Sequence, residues 1–151
     1  MSFSLSAEEL KRYQPNRYPF LMIDRVISVS PGKFAKGFKN LTNNEWYFPK
    51  HFDGHPNMPG ALQLEAMAQM LTVAITTLEG LEGKATHALE HTVKFKKEVV
   101  PGDRLDIFSE VISWKRGIAI GKAICTVDNI EVSSANMKIT IPEILNSFLP
   151  K

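Results

Sequence analysis

His51, Gly60, Glu65 and Gln69 fall within nineteen consecutive residues. An imidazole, a carboxyl and a carboxamide are groups that move protons or steer them near neutral pH. Glu65 and Gln69 are four residues apart, one helical turn, which puts them on one face within hydrogen-bonding reach. Thr72 and Thr76 extend that line at offsets of seven and eleven from Glu65. The rest of the segment is apolar around most of a helix: Ala61, Leu62, Leu64, Ala66, Met67, Ala68, Met70, Leu71, Val73, Ala74 and Ile75. A helix of that character is expected to be buried. A buried carboxyl is held toward its neutral form, which suits a general acid. A Glu65 facing solvent or a subunit contact is the other reading.

The residues before this helix form a loop, Lys50-His51-Phe52-Asp53-Gly54-His55-Pro56-Asn57-Met58-Pro59-Gly60. A loop that enters a helix brings unpaired N–H groups and a positive dipole end to one point. Such a point can hold a carbonyl oxygen that gains negative charge, and Gly60 has no side chain to block the approach. Imidazole, carboxyl and oxyanion donor can then surround one substrate. His51-x-Asp53-x-His55 also contains residue types that bind zinc, but its alternation with Gly54 and Pro56 matches no ligand spacing and no cysteine accompanies it. No metal is expected. His87 and His91 read as structural residues where a loop runs into a strand. Cys125, mid-strand, reads as core filler.

The elements that must position these groups follow from pattern. Ser6 with Glu9 three residues on is a capping box, opening a short helix that Pro15 and Pro19 curtail. Phe20–Ser30 and Lys33–Leu41 read as strands separated by Pro31-Gly32. Gly60–Leu78 reads as the long helix, with Pro59 at its first turn and Gly80 as its stop. Strands follow around Thr92–Lys96, then at Leu105–Trp114, Ile118–Asp128 and Ile130–Ile141. Strands, one buried helix and more strands predict an α+β fold, an antiparallel sheet wrapped around a central helix. A parallel α/β fold would need strand–helix alternation that is absent.

At 151 residues the chain fits one domain, residues 1–151. With 44% hydrophobic and 23% charged residues it is globular in composition. A net charge of +2 calls for neither nucleic acid nor an anionic membrane as partner. A lone cysteine and an N-terminus without the order of a signal peptide lead us to expect the cytoplasm.

Several stretches together resemble a known family. Tyr18-Pro19-Phe20-Leu21-Met22-Ile23-Asp24-Arg25-Val26, Asn40-Leu41-Thr42-Asn43-Asn44-Glu45, His51-Phe52, Pro56-x-Met58-Pro59-Gly60, Leu64-Glu65-Ala66-Met67-Ala68-Gln69, Val93-Lys94-Phe95-Lys96-Lys97 and Val100-Pro101-Gly102-Asp103 occur in order, with His51 fourteen residues before Glu65. The chain resembles the Z-type 3-hydroxyacyl-acyl-carrier-protein dehydratases of fatty-acid synthesis. That resemblance implies a hot-dog fold working as a homodimer, commonly assembled as a trimer of dimers, with His and Glu of one site drawn from different subunits. It implies that His51 takes the C2 proton, Glu65 protonates the departing C3 hydroxyl, Gly60 N–H holds the thioester oxygen and Gln69 orients Glu65. It implies no cofactor. The partner is an acyl carrier protein bearing the substrate, from fatty-acid synthesis or a related polyketide pathway. Four positions depart from the usual pattern: Lys50 for Gly, Asp53 for Pro, Gln63 for a large aliphatic residue and Glu98 for Pro. Lys94, Lys96 and Lys97 are basic and close on one strand, and either dock an acidic carrier or form a solvated face. A hot-dog thioesterase and a non-catalytic acyl-binding subunit are the alternative functions.

Overall fold

The computed structural model describes residues Met1–Lys151. Seven strands and three helices follow in the order β1 (Phe3–Leu5), α1 (Ala7–Leu10), β2 (Arg25–Ser30), β3 (Phe34–Asn40), α2 (Gly60–Thr76), β4 (His87–Phe95), β5 (Arg104–Lys115), β6 (Ile118–Val127), β7 (Ile130–Thr140) and α3 (Pro142–Phe148). A 3-10 turn at Phe48–Lys50 leads into the His51 loop. All strands join one antiparallel sheet, in the order β1-β2-β3-β5-β6-β7-β4. The sheet curls around α2, as the residue pattern led us to expect, and the arrangement is the hot-dog fold that the resemblance implies. No helix is long and apolar enough to cross a membrane.

Side-chain size explains why sheet and helix fit. The inward positions of β6 are small: Ala119, Gly121, Ala123 and Cys125 alternate with outward Ile120, Lys122 and Ile124. The helix supplies the bulk, with Met67, Met70, Leu71 and Ile75 fully buried. At Gly121 a Cβ would come within 2.6 Å of Leu71 Cδ1 and 2.8 Å of the Glu110 carbonyl, so only glycine admits the helix this closely. Burying each such aliphatic side chain contributes roughly 1.5–3 kcal/mol.

The predicted elements are found with shifted ends. Ser6 and Glu9 form the capping box of α1 in both directions. The strand expected from Phe20 begins only at Arg25, because the main chain at Phe20 and Met22 is committed to the Gln69 side chain instead of a neighbouring strand. Sheet pairing with β7 carries β4 back from Thr92 to His87, so both histidines lie in the strand. His91 Nδ1 is buried without a hydrogen-bond partner, unlike the satisfied role expected for it. The three-residue β1 and the helix α3, which buries no residue, have no strong hydrophobic period and were not expected.

The helix α2 departs from expectation in burial. From Ala66 onward it is enclosed, apart from half-buried Ala68, but Ala61 is exposed and Leu62, Leu64 and Glu65 are half-buried. The first turns of α2 therefore present an open apolar flank in the protomer. Strand β4 is also open: it pairs only with β7 and offers a nine-residue free edge without proline.

Candidate active site

His51 stands at the exit of the 3-10 turn, half-buried. Its Nδ1 lies 3.0 Å from the Asn57 carbonyl oxygen. A carbonyl only accepts, so Nδ1 carries the hydrogen and Nε2 keeps its lone pair in the neutral ring. Thus the loop fixes the tautomer that can act as a base. The Phe52 ring stacks on the imidazole, with centroids 4.2 Å apart. Asn57 N–H returns to the His51 carbonyl over 2.9 Å, closing the loop on itself.

Glu65 is aimed by a different part of the chain. Gln69 Nε2 donates to Glu65 Oε1 over 2.9 Å and to the Phe20 carbonyl over 2.6 Å. Gln69 Oε1 accepts from Met22 N–H over 2.8 Å. The buried amide uses both of its ends, so its orientation, and that of the carboxyl, is determined by the segment Phe20–Met22. The remainder of the polar line serves structure: Thr72 hydroxyl bonds Thr86 hydroxyl at 2.7 Å, and the buried Thr76 hydroxyl has no partner.

Gly60 opens α2. The intrahelical bonds begin with Leu62 and Gln63 N–H to the Pro59 carbonyl, which leaves the Gly60 N–H ahead of them as a donor for a ligand. The Phe95 ring covers this glycine so closely that a Cβ would meet Phe95 Cζ at 2.5 Å. Gly60, Phe95, Asn57, Gln63, Lys97 and Glu98 line one cleft at the helix N-terminus. No hydrogen bond joins His51 to Glu65 within the protomer.

A proton-accepting imidazole, an aimed carboxyl and a free helix N-terminal donor are the kinds of group that an acid–base elimination beside a polarised carbonyl requires. A FabA-like domain model matches residues 14–136. The chain is 45% identical over 140 residues to the 3-hydroxyacyl-[acyl-carrier-protein] dehydratase FabZ of Clostridium botulinum (strain Eklund 17B / Type B), covering 91% of this chain and 99% of the relative. The chain belongs to the FabZ dehydratase family. The FabZ of Clostridium novyi (strain NT) is 43% identical over 126 residues, with 83% of this chain and 89% of the relative covered. Among solved structures, the dehydratase heterocomplex ApeI:P from Xenorhabdus doucetiae shares the fold at a TM-score of 0.77 and 17% identity, covering 94% of this chain and 97% of that one. The Escherichia coli PaaI protein shares it at a TM-score of 0.60 and 18% identity, over 76% and 80% of the two chains.

The positions at which this FabZ-family chain departs from the usual pattern lie around the same loop. Glu98 accepts from His55 Nε2 over 2.9 Å. The buried Gln63 donates Nε2 to the Met58 carbonyl over 3.2 Å, and its Oε1 has no partner. Lys50 and Asp53 are exposed, with no side-chain partner. His51, Asp53 and His55 do not converge; no group of three His, Cys, Asp or Glu side chains is placed to hold a metal ion. The three expected lysines stay close together but are not all in one strand. Only Lys94 lies in β4, because Lys96 and Lys97 follow its end with both N–H groups directed to the Val132 carbonyl. Lys96 pairs with Glu131. Lys94 and Lys96 border a cleft on the outer sheet face, and Lys96 and Lys97 the cleft beside Gly60.

Residue types alone could not show the partners that set this geometry. The Asn57 carbonyl, the Met22 N–H and the Phe20 carbonyl are main-chain groups that any residue would supply.

Proposed function

We propose that this chain removes water from 3-hydroxyacyl thioesters carried on acyl carrier protein and releases trans-2-enoyl thioesters, in fatty-acid biosynthesis or a related acyl pathway. His51 Nε2 takes the proton from C2. The electron pair left at C2 forms the double bond as the C3–O bond breaks. Glu65 supplies a proton to the departing hydroxyl, which leaves as water. Gly60 N–H binds the thioester oxygen, where negative charge gathers during C2 deprotonation. Gln69 holds Glu65 in position. The chemistry as written needs no metal or organic cofactor. The observation that carries this reading is the hydrogen bond from His51 Nδ1 to the Asn57 carbonyl, which leaves Nε2 free as the base.

The acting unit is a homodimer, and residues 1–151 form one hot-dog domain in each subunit. Two features support the dimer: the unpaired edge of β4, and the open flank of α2 around Ala61, Leu64 and Glu65. Pairing two β4 edges would satisfy the free main-chain groups, since long unpaired edges seek a partner. Covering α2 would exclude water from the surroundings of Glu65. The site would then combine His51 of one subunit with Glu65 of the other. Carrier docking falls to Lys96 and Lys97, which line the Gly60 cleft, with Lys94 further back in β4.

The assay offers purified protein a 3-hydroxybutyryl thioester and a trans-2-butenoyl thioester, following double-bond absorbance and free thiol. Interconversion without thiol release is expected. Thiol release would support a thioesterase, and neither change across several chain lengths an acyl-binding subunit. The curated relatives, each named as a dehydratase, favour the lyase.

A further inference from the structure

The loop that carries His51 is first closed on itself and then clasped from outside. Phe52 N–H reaches the His55 carbonyl over 2.9 Å, and His55 N–H reaches the Phe52 carbonyl over 2.8 Å. Between them, Asp53 and Gly54 make the turn, with Gly54 at a φ of +73° that favours glycine. Asn57 Nδ2 adds a bond to the His55 carbonyl at 3.3 Å. The base therefore sits on a miniature hairpin from His51 to Asn57.

This hairpin meets the segment that follows β4 at two points. Met58 N–H donates to the Val99 carbonyl over 2.7 Å. His55 Nε2 lies 2.9 Å from Glu98 Oε1. A carboxylate only accepts, so Nε2 carries the hydrogen whether or not the ring is charged. The first contact holds the base of the hairpin and the second holds its tip. Lys50 and Asp53, the other charged residues of the loop, form no ion pair.

We propose that Glu98 is a positioning residue for His51, acting through His55. This rests on His51 being the base. The contacts are continuous: Glu98 holds the His55 ring, His55 is bonded twice to Phe52, and the Phe52 ring lies against the imidazole. Displacing the tip moves the surface on which the base rests. The pair itself is exposed, with side chains 67% and 59% accessible. An exposed pair adds little to stability. Its removal is therefore expected to appear in the chemical step, which depends on sub-ångström placement, more than in melting.

The test uses thioesters of N-acetylcysteamine, which bypass carrier docking at the neighbouring Lys97. Four variants are compared with the wild type: Glu98→Ala, His55→Ala, the double variant, and the exchanged pair His55→Glu with Glu98→His. Each single change is expected to lower kcat by about three- to tenfold, with KM changed less than about twofold. The double variant should be no worse than either single one, and the exchanged pair should regain most of the rate. Melting temperatures should stay within about 2 °C, as for other exposed pairs. Unchanged kcat in both single variants overturns the proposal. So do losses that multiply in the double variant, or activity that tracks a falling melting temperature. His51→Ala is the control: if it is inert while the wild type turns over, failure of the Glu98 variants counts against the clasp alone. A fully active His51→Ala would remove the base assignment, and the clasp with it.

Discussion

Gln69 Nε2 donates to Glu65 Oε1 over 2.9 Å, while Met22 N–H holds the other end of the same amide at 2.8 Å. Through one side chain, a stretch more than forty residues earlier in the chain sets the direction of the helix carboxyl. Gln69→Leu removes that support and leaves the Met22 N–H and Phe20 carbonyl unpaired, each costing about 1–3 kcal/mol where buried. We expect kcat for hydration of a trans-2-butenoyl thioester to fall about tenfold to a hundredfold, with a lower melting temperature. A Gln69→Leu protein with wild-type turnover would show that Glu65 needs no such guide.

His51→Ala and Glu65→Ala should each lower turnover by about two to four orders of magnitude, the span of lost acid–base catalysis. Both side chains are half-buried, so the variants should fold. If the site spans two subunits, refolding the two inactive proteins together should restore part of the activity. Mixed dimers carry one intact site, homodimers none. No recovery in a sample shown to contain mixed dimers would place both groups in one subunit.

Lys39 and Glu45 form an ion pair at 2.9 Å, with Lys39 only 6% exposed and Asp24 a further 3.7 Å contact. Burial acts to raise Glu45, but hydrogen bonds from Lys39 Nζ and from the Thr42 N–H and hydroxyl outweigh it and hold the carboxyl below its ordinary 4.5. A lowered folded-state value means stability that is present above pH 4.5 and lost as the pH falls through that lower value. Urea unfolding should show the wild type weakening in this acid range. Glu45→Gln should be less stable at pH 7 by about 1–3 kcal/mol, with a flatter acid limb. Parallel curves for the two proteins below pH 4.5 would contradict the linkage.

Burial pushes the Cys125 thiol up to about 12, with a smaller rise from Asp106. Thiolate is the reactive species, so the native protein should not label with iodoacetamide at pH 8. Guanidinium unfolding should release one reactive thiol per chain. Rapid labelling of the folded protein would mean that β6 opens far more readily than its inward packing implies.

Much of the fold was legible because its signals are local. The helix α2 is readable from its Ala, Leu and Met content, with Pro59 at one end. β6 and β7 are readable from alternation, and α1 from the Ser6–Glu9 box. The shortened β2 and lengthened β4 were not, since each end depends on a partner elsewhere in the chain: Gln69 for the first and β7 for the second. The end of β4 between Lys94 and Lys96 was not legible for a related reason, since it depends on Val132, whose carbonyl takes the N–H groups of Lys96 and Lys97.

By itself the amino-acid sequence determined the family, the strand–helix–strand order and the residues able to handle protons, because side-chain type and spacing are written in it directly. Tertiary structure alone decided which nitrogen of His51 is free, where the Glu65 carboxyl points, and that Glu98 reaches His55 across 43 residues. Those outcomes depend on main-chain carbonyls and amides, which every residue carries alike, and on distances that exist only once the sheet has closed around its helix.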